Sequence, residues 1–323
     1  MAVYTEVSDT EIAAFAEQFD IGRVLSFKGI AEGVENTNYL LLTETTPYIL
    51  TLYEKRVARS DLPFFLSLIE HLAARGVTCP MPIHGRDGKV LHELCDRSAA
   101  ITTFLPGAWP RRIGPEHCRA LGSALGRLHQ AGQDFPGRRE NALSVAGWRP
   151  LFDACAPRAD EVAEGLAEEL GTELSQIERD WPDALPAGVI HADMFPDNVF
   201  FESHKLSGVI DLYFACNDFF AYDLAICLNA WCFETDASFN ITKARALLSA
   251  YRKERALGAE ELAALPLLAR GAAVRFLLTR LYDWLNRVEG AMVKPHDPMV
   301  YVKILRFHRG ITGPGAYGLD EAA

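Results

Sequence analysis

A chain of 323 residues, 49% hydrophobic and 23% charged, is long enough to bury two lobes and too apolar to remain disordered. A net charge of −11 argues against the basic surface a nucleic-acid partner needs; no run is read as membrane-spanning or as a signal peptide, so no membrane partner is expected either. Seven scattered cysteines, odd in number and without a C-x-x-C pair, are read as small apolar residues of a reducing cytoplasm, not as disulfides or zinc ligands.

Ser8 and Glu11 make a capping-box pattern ahead of a helix with Ile12, Phe15 and Phe19 on one face. Three strand-like runs follow, at 23–27, 38–43 and 48–53. The connection between the first two carries Gly29 and Gly33, residues that let main-chain N–H groups approach a phosphate. In the third run, period-2 alternation puts Thr51, Tyr53 and Lys55 on one face. Residues 60–75 predict a helix with Leu62, Phe65, Leu66, Ile69 and Leu72 apolar and Gly76 as its stop. Asp87-Gly88 marks a turn, and 99–105 is a further strand broken by Pro106-Gly107.

Past that break the pattern turns helical. Gly114-Pro115 opens a helix that runs past His129 to Gly132, and 150–181 holds an acidic helical pattern. Residues 224–233 predict a helix with Asp223 as N-cap. Residues 262–288 predict a long one striped by Val274, Leu277, Leu278, Leu281 and Leu285.

Residues 188–213, GVIHADMFPDNVFFESHKLSGVIDLY, organise the rest. An apolar run ends at His191, a polar loop follows, and two apolar runs joined by Glu202-Ser203-His204-Lys205 predict a hairpin. Asp193 and Asn198 stand before it and Asp211 after it. Phosphoryl transfer from a nucleotide needs a carboxylate to orient a hydroxyl, and hard oxygen donors to hold Mg²⁺ on the phosphates. Asp193 suits the first task, and Asn198 with Asp211 the second.

This H-x-D-x-x-x-x-N segment, with an aspartate at the following strand end, resembles the catalytic loop and metal strand of the protein-kinase-like and aminoglycoside-phosphotransferase-like superfamily. The stretches GVENTNYLL, ILTLYEKR, ITTFLPG, IDLYFACNDFFAYDLA and VRFLLTRLYDW are similar to a homoserine kinase group within it. The resemblance implies an α+β, two-lobed protein-kinase-like fold. Its N-terminal antiparallel-sheet lobe would span 1–103, and its mostly helical C-terminal lobe, with catalytic loop and substrate site, 104–323. It implies ATP and Mg²⁺, and transfer to the side-chain hydroxyl of L-homoserine in threonine biosynthesis. The alternatives are another hydroxyl (an aminoglycoside, choline or a sugar) or a nucleotide-binding module without catalysis.

By the same resemblance, Gly29, Gly33 and Asn36 lie on the nucleotide, and Thr103 and Leu105 in the adenine-binding hinge; Lys55, on the face of Thr51, either reaches toward the phosphates from further along or is a solvated strand-end lysine. The chain departs from the superfamily at Thr51, which stands where a strand lysine is expected. Glu70 or Asp61 would be the helix partner of that lysine, and Asp223 would support the catalytic loop's backbone. A free amino acid brings a carboxylate and an ammonium that must both be desolvated. Arg275 or Arg280 is expected to take the carboxylate and Asp218 or Asp283 the ammonium.

Overall fold

The computed structural model describes residues 5–30, 36–54, 58–287 and 295–319. The expected capping box forms at the first helix, α1 (Asp9–Ala16): the Ser8 hydroxyl accepts from the Glu11 N–H, and the Glu11 carboxylate accepts from the Ser8 N–H. α1 lies on a five-stranded antiparallel sheet of β1 (Val24–Gly29), β2 (Thr37–Thr43), β3 (Pro47–Tyr53), β4 (His92–Leu94) and β5 (Arg97–Thr103), in the order β1-β2-β3-β5-β4. Alternation along the strands decides the two faces. Leu41, Leu50, Leu52 and Ile101 turn toward Ile12, Phe15 and Phe19 of the α1 side. Tyr53 and Ala100 turn to the other face, where α2 (Leu62–Ala74) places Leu62, Phe65 and Leu66.

The next turns of α2 do not stay with the sheet. Leu68, Ile69 and Leu72 join the core of the helical lobe. One helix therefore carries apolar contacts to both halves of the molecule.

The second lobe holds α3 (Pro115–Ala131), α4 (Val145–Cys155), α5 (Leu166–Asp180), α6 (Phe220–Trp231), α7 (Ile241–Glu254), α8 (Ala259–Leu285) and α9 (Met299–Arg309). α3 and α7 meet at Gly122, where an added Cβ would come within 2.1 Å of the Leu247 carbonyl oxygen. Two small antiparallel sheets are set among these helices. β6 (Ala187–Ile190) pairs with β9 (Cys216–Phe219), and β7 (Val199–Glu202) pairs with β8 (Lys205–Val209) as the expected hairpin. The three sheets are separate, as a two-lobed fold requires.

Several expectations need correcting. The strand read as 99–105 ends at Thr103, and the helix read from Leu224 begins at Phe220. Asp223 is therefore inside α6's first turn and does not cap it. α7 and α9 are not among the elements expected above. α8 is long and apolar enough to cross a membrane by composition, against the reading that no run is, but 67% of that span is buried inside this fold. Its Val274, Leu277, Leu278 and Leu281 form the expected stripe in the main core. All seven cysteines are free.

Candidate active site

β6 delivers the chain to His191 in the core of the helical lobe, where the main-chain groups of Ala192 and the N–H of His191 are taken up by buried side chains. Asp223 on α6 accepts the N–H of His191 at 2.8 Å and of Ala192 at 2.9 Å. Arg275 on α8 donates from Nη1 to the carbonyl oxygen of Ala192 at 2.5 Å. Ala192 has φ 64°, left-handed backbone that costs a residue with a Cβ on the order of 1 kcal/mol. Holding both of its main-chain polar groups offsets that cost, and the bend presents Asp193 beyond it.

His191 ties this loop to the strand that ends at Asp211. Its Nδ1 accepts from the Asp193 N–H at 3.2 Å, so its Nε2 carries the proton and donates to the Ile210 carbonyl at 3.0 Å. Burial lowers the pKa of His191, which suits this neutral role. Burial alone would raise Asp223, but hydrogen bonding from His129 and the nearby imidazoles outweigh it and hold the carboxyl below its ordinary range. His129 Nε2 is 3.1 Å from Asp223, and its Nδ1 is 2.7 Å from the Tyr251 hydroxyl. Asp223 thus accepts three bonds in a fully buried site, and His129 is spent on that frame.

The three residues singled out for chemistry come together around this frame. Asn198 closes a one-turn 3-10 segment and donates from Nδ2 to the Asp193 carbonyl at 2.8 Å and to Asp193 Oδ2 at 3.2 Å. That leaves Asn198 Oδ1 as the oxygen turned away from Asp193. The Asn198 carbonyl accepts from the Ile210 N–H at 2.9 Å, next to Asp211, which sits at φ 60° and ψ 57°. An amide oxygen and a carboxylate from adjoining chain segments form a hard-oxygen donor set of the kind Mg²⁺ takes beside nucleotide phosphates. On that chemistry the residues fit the ion.

The linker after β5 is stitched to the same hairpin. Ala108 and Phe201 exchange two main-chain hydrogen bonds, and the Ser207 hydroxyl donates to the Pro106 carbonyl at 2.7 Å. Gly107 has φ 106°, and an added Cβ would fall 2.5 Å from Ser207 Oγ, so only glycine suits this crossing. Of the two expected hinge positions, Thr103 gives its N–H to the Met81 carbonyl at 2.8 Å. Leu105 rests its side chain against Gly208 in β8, and its main-chain groups have no protein partner among the described residues.

On the sheet side, Gly29 ends β1 opposite Tyr39. Asn36 is buried and its Oδ1 accepts from the Glu54 N–H at 3.2 Å. Gly33 and Lys55 lie outside the described residues. Thr51, 5% exposed, donates to Asn38 Oδ1 at 2.8 Å. Neither carboxylate considered for the helix reaches Thr51's position by these contacts: Glu70 bonds His84 at 2.5 Å, and Asp61 bonds Arg139 at 2.7 Å.

The four substrate candidates separate. Arg275 is 2% exposed, with its guanidinium on the Ala192 carbonyl and 4.5 Å over the Phe276 ring. This placement makes it a holder of the catalytic loop and leaves little of it for a ligand. Arg280 is half-buried, its guanidinium 4.5 Å over Tyr301 of α9. Burial pushes the Tyr301 hydroxyl well above its ordinary pKa, and the charges of Arg280, Asp193 and Arg275 all act on it. Asp218 accepts from Asn141 Nδ2 at 2.6 Å and from the Phe219 N–H at 2.7 Å, and burial raises its pKa. Asp283 is exposed and, with Asp197 and Arg280, acts on His296. Tyr301 and His296 were not anticipated; α9 went unread, and a single histidine in a loop carries no local signal.

A sheet lobe, a linker sewn to a hairpin, and Asp193, Asn198 and Asp211 at the hairpin's mouths make up a two-lobed protein-kinase-like fold. The profile of the phosphotransferase enzyme family matches residues 26–257, and the chain belongs to that family. It is 65% identical over 321 residues to a homoserine kinase of Rhodospirillum rubrum, covering 99% of this chain and 100% of the relative. It is 63% identical over 326 residues to a homoserine kinase of Paramagnetospirillum magneticum, covering 99% and 100%. A spectinomycin phosphotransferase solved with ADP and spectinomycin shares the fold at a TM-score of 0.72 and 14% identity, over 95% of this chain and 99% of that one.

Proposed function

We propose that this chain transfers the γ-phosphoryl group of ATP to the side-chain hydroxyl of L-homoserine, giving O-phospho-L-homoserine for threonine biosynthesis in the cytoplasm. The observation that carries the substrate is the identity of 61–65% over essentially the whole length to homoserine kinases. Seven free cysteines support the cytoplasmic setting. The lobes divide as 1–103 and 104–323, a reading supported by β5 ending at Thr103 and by the helices that begin at Pro115.

Asp193 orients the homoserine hydroxyl and takes its proton as the bond to phosphorus forms. Asn198 keeps that carboxylate in one rotamer through its Nδ2 bond. Asn198 Oδ1 and Asp211 would hold Mg²⁺, which would supply neutralisation of charge on the ATP phosphates. Leu105 offers main-chain groups to adenine, and the β1–β2 connection with Gly29, Gly33 and Asn36 covers the phosphates, with Lys55 as a further cation. The substrate carboxylate is assigned to Arg280, a reading supported by its half-buried guanidinium over Tyr301, and the ammonium to Asp218 or Asp283.

Substrate-dependent ADP release over a panel of hydroxyl compounds tests this reading. Homoserine is expected to give the highest kcat/KM. Faster turnover of choline, an aminoglycoside or a sugar would replace the substrate, and ATP binding without turnover of any would make the chain a nucleotide-binding module. Arg280→Ala is expected to raise the homoserine KM far more than that of ATP.

A further inference from the structure

In kinases of this fold a strand lysine paired with a helix glutamate holds the helix of the sheet lobe in its active position. Here Thr51 takes the lysine's position, and Glu70, the one carboxylate within α2, is engaged by His84. The helix is instead fastened from the other side. Asp61 is the N-cap residue of α2, yet its carboxylate makes no bond to its own helix. It accepts from Arg139 Nε at 2.7 Å, across the lobe boundary. Arg139 also donates from Nη1 to the Ala215 carbonyl at 3.2 Å, and its guanidinium lies 4.9 Å over the ring of Phe65 in α2. Its main chain exchanges bonds with Asn217 in β9: Arg139 N–H to Asn217 Oδ1 at 2.9 Å, and Asn217 N–H to the Arg139 carbonyl at 2.7 Å.

A second tie runs alongside. The Tyr53 hydroxyl at the end of β3 lies 3.0 Å from the Tyr213 hydroxyl, and the Tyr213 ring stands edge-on to both Tyr53 and Phe65. Tyr213 and Ala215 are two and four residues past Asp211, within the turn that Asp211 opens.

We propose that Arg139 is a positioning residue: with Asp61 and the Tyr53–Tyr213 pair it latches the sheet lobe to the segment carrying Asp211, the task a strand lysine and helix glutamate perform elsewhere in this fold. The proposal rests on the reading of Asp211 as a Mg²⁺-holding carboxylate. The planar fork of an arginine is what the position needs, because one group serves a carboxylate, a carbonyl and a ring face together, and a lysine ammonium cannot do all three.

The test measures steady-state rates of the full chain in R139A, R139K, D61N, Y213F and the double variant D61N/R139A. Each is titrated with Mg²⁺ at saturating ATP and homoserine, with D211N in parallel and circular dichroism to monitor folding. R139A is expected to lower kcat by about 10- to 100-fold, the scale of a small misplacement of reacting groups, and to raise the Mg²⁺ needed for half-maximal rate. The homoserine KM should stay within about twofold, R139K should rescue little, and the double variant should be no worse than R139A, because paired residues are non-additive. Wild-type kcat and Mg²⁺ dependence in folded R139A, or additive losses in the double variant, would overturn the latch. If R139A does not fold, D61N and Y213F carry the test, and wild-type Mg²⁺ dependence in both overturns it. An unchanged Mg²⁺ dependence in D211N would overturn the metal role of Asp211. A shifted one in D211N beside wild-type behaviour in R139A would overturn the latch alone.

Discussion

The helical lobe around Asp193 and the five-stranded sheet, two walls of different construction, spend their polar groups differently. On the helical side, His191, Ala192, Asn198 and Ile210 form a closed set of bonds anchored by Asp223 and Arg275, and the set fixes the chain on either side of Asp193 and up to Asp211. On the sheet side, Thr51 in β3 bonds Asn38 in β2, and Asn36 just before β2 accepts from the Glu54 N–H just past β3, so these side chains are spent on the sheet itself. The difference separates chemistry from clamping. The wall that must hold reacting atoms to a fraction of an ångström is frozen by buried charge-assisted bonds. The sheet wall is held by its own strands and by α2, which reaches into both cores.

Replacing Asp193 breaks that division most severely. Asp193→Asn is expected to lower turnover by about 10²–10⁴, the range for loss of a general base, while ATP affinity by calorimetric titration stays the same. Turnover near wild type would take Asp193 out of the reaction.

Asp223→Asn strikes the frame and not the reacting groups. An amide is a weaker acceptor for the His191 and Ala192 N–H groups and places a donor against them. A stability loss of about 1–3 kcal/mol in urea unfolding is expected, as when buried donors lose their acceptor, with lower kcat and little change in the KM values. Full stability in this variant would mean that the loop is held without Asp223.

The backing of the helical wall carries a pH signature. His308 on α9 lies 2.7 Å from Asn229 Oδ1 and 2.8 Å from the Tyr317 hydroxyl, and burial, helped by the Arg270 charge, lowers its pKa from 6.5 to about 3. Between those values the unfolded chain binds the proton and the folded one does not, so stability falls as pH drops below 6.5. The loss is on the order of 2 kcal/mol by pH 5. His308→Gln should flatten that slope in denaturant titrations at pH 7 and pH 5, and an unaltered slope would assign the acid sensitivity to other groups.

The smallest effect is expected on the sheet wall. Thr51→Val removes one hydrogen bond, so stability should change by about 1 kcal/mol and the ATP KM by less than about threefold. A much larger rise in the ATP KM would put the Thr51 hydroxyl on the nucleotide and erase the contrast between the walls.

Much of this architecture is legible in the chain because its causes are local. The capping box at Ser8, the apolar stripe of α8 and the hairpin between Asn198 and Asp211 depend on residues within a few turns of one another. Asp193, Asn198 and Asp211 could be picked out because a tight loop and a two-stranded hairpin leave little freedom in where their ends fall. The periodicity of α7 and α9 is present too, with Leu247, Leu248 and Tyr251 buried in one and Tyr301, Leu305 and His308 in the other, although neither helix was anticipated.

Tertiary structure decided which of two plausible partners each polar residue takes. Arg275 and Arg280 lie on the same helix with the same chemistry, yet one is sealed against Ala192 and the other stands half-open over Tyr301. Asp223 sits where a cap would be expected and turns to a loop 31 and 32 residues earlier in the chain. Arg139 gives no local sign of a role, since Asp61 and Ala215 are 78 and 76 residues away and reach it only when the lobes come together. Periodicity and turn chemistry act over a few residues, so sequence alone determined most of the elements and picked out the candidate set Asp193, Asn198 and Asp211. Charge pairing acts over a few ångströms of space, so the assignment of the buried charges awaited the fold.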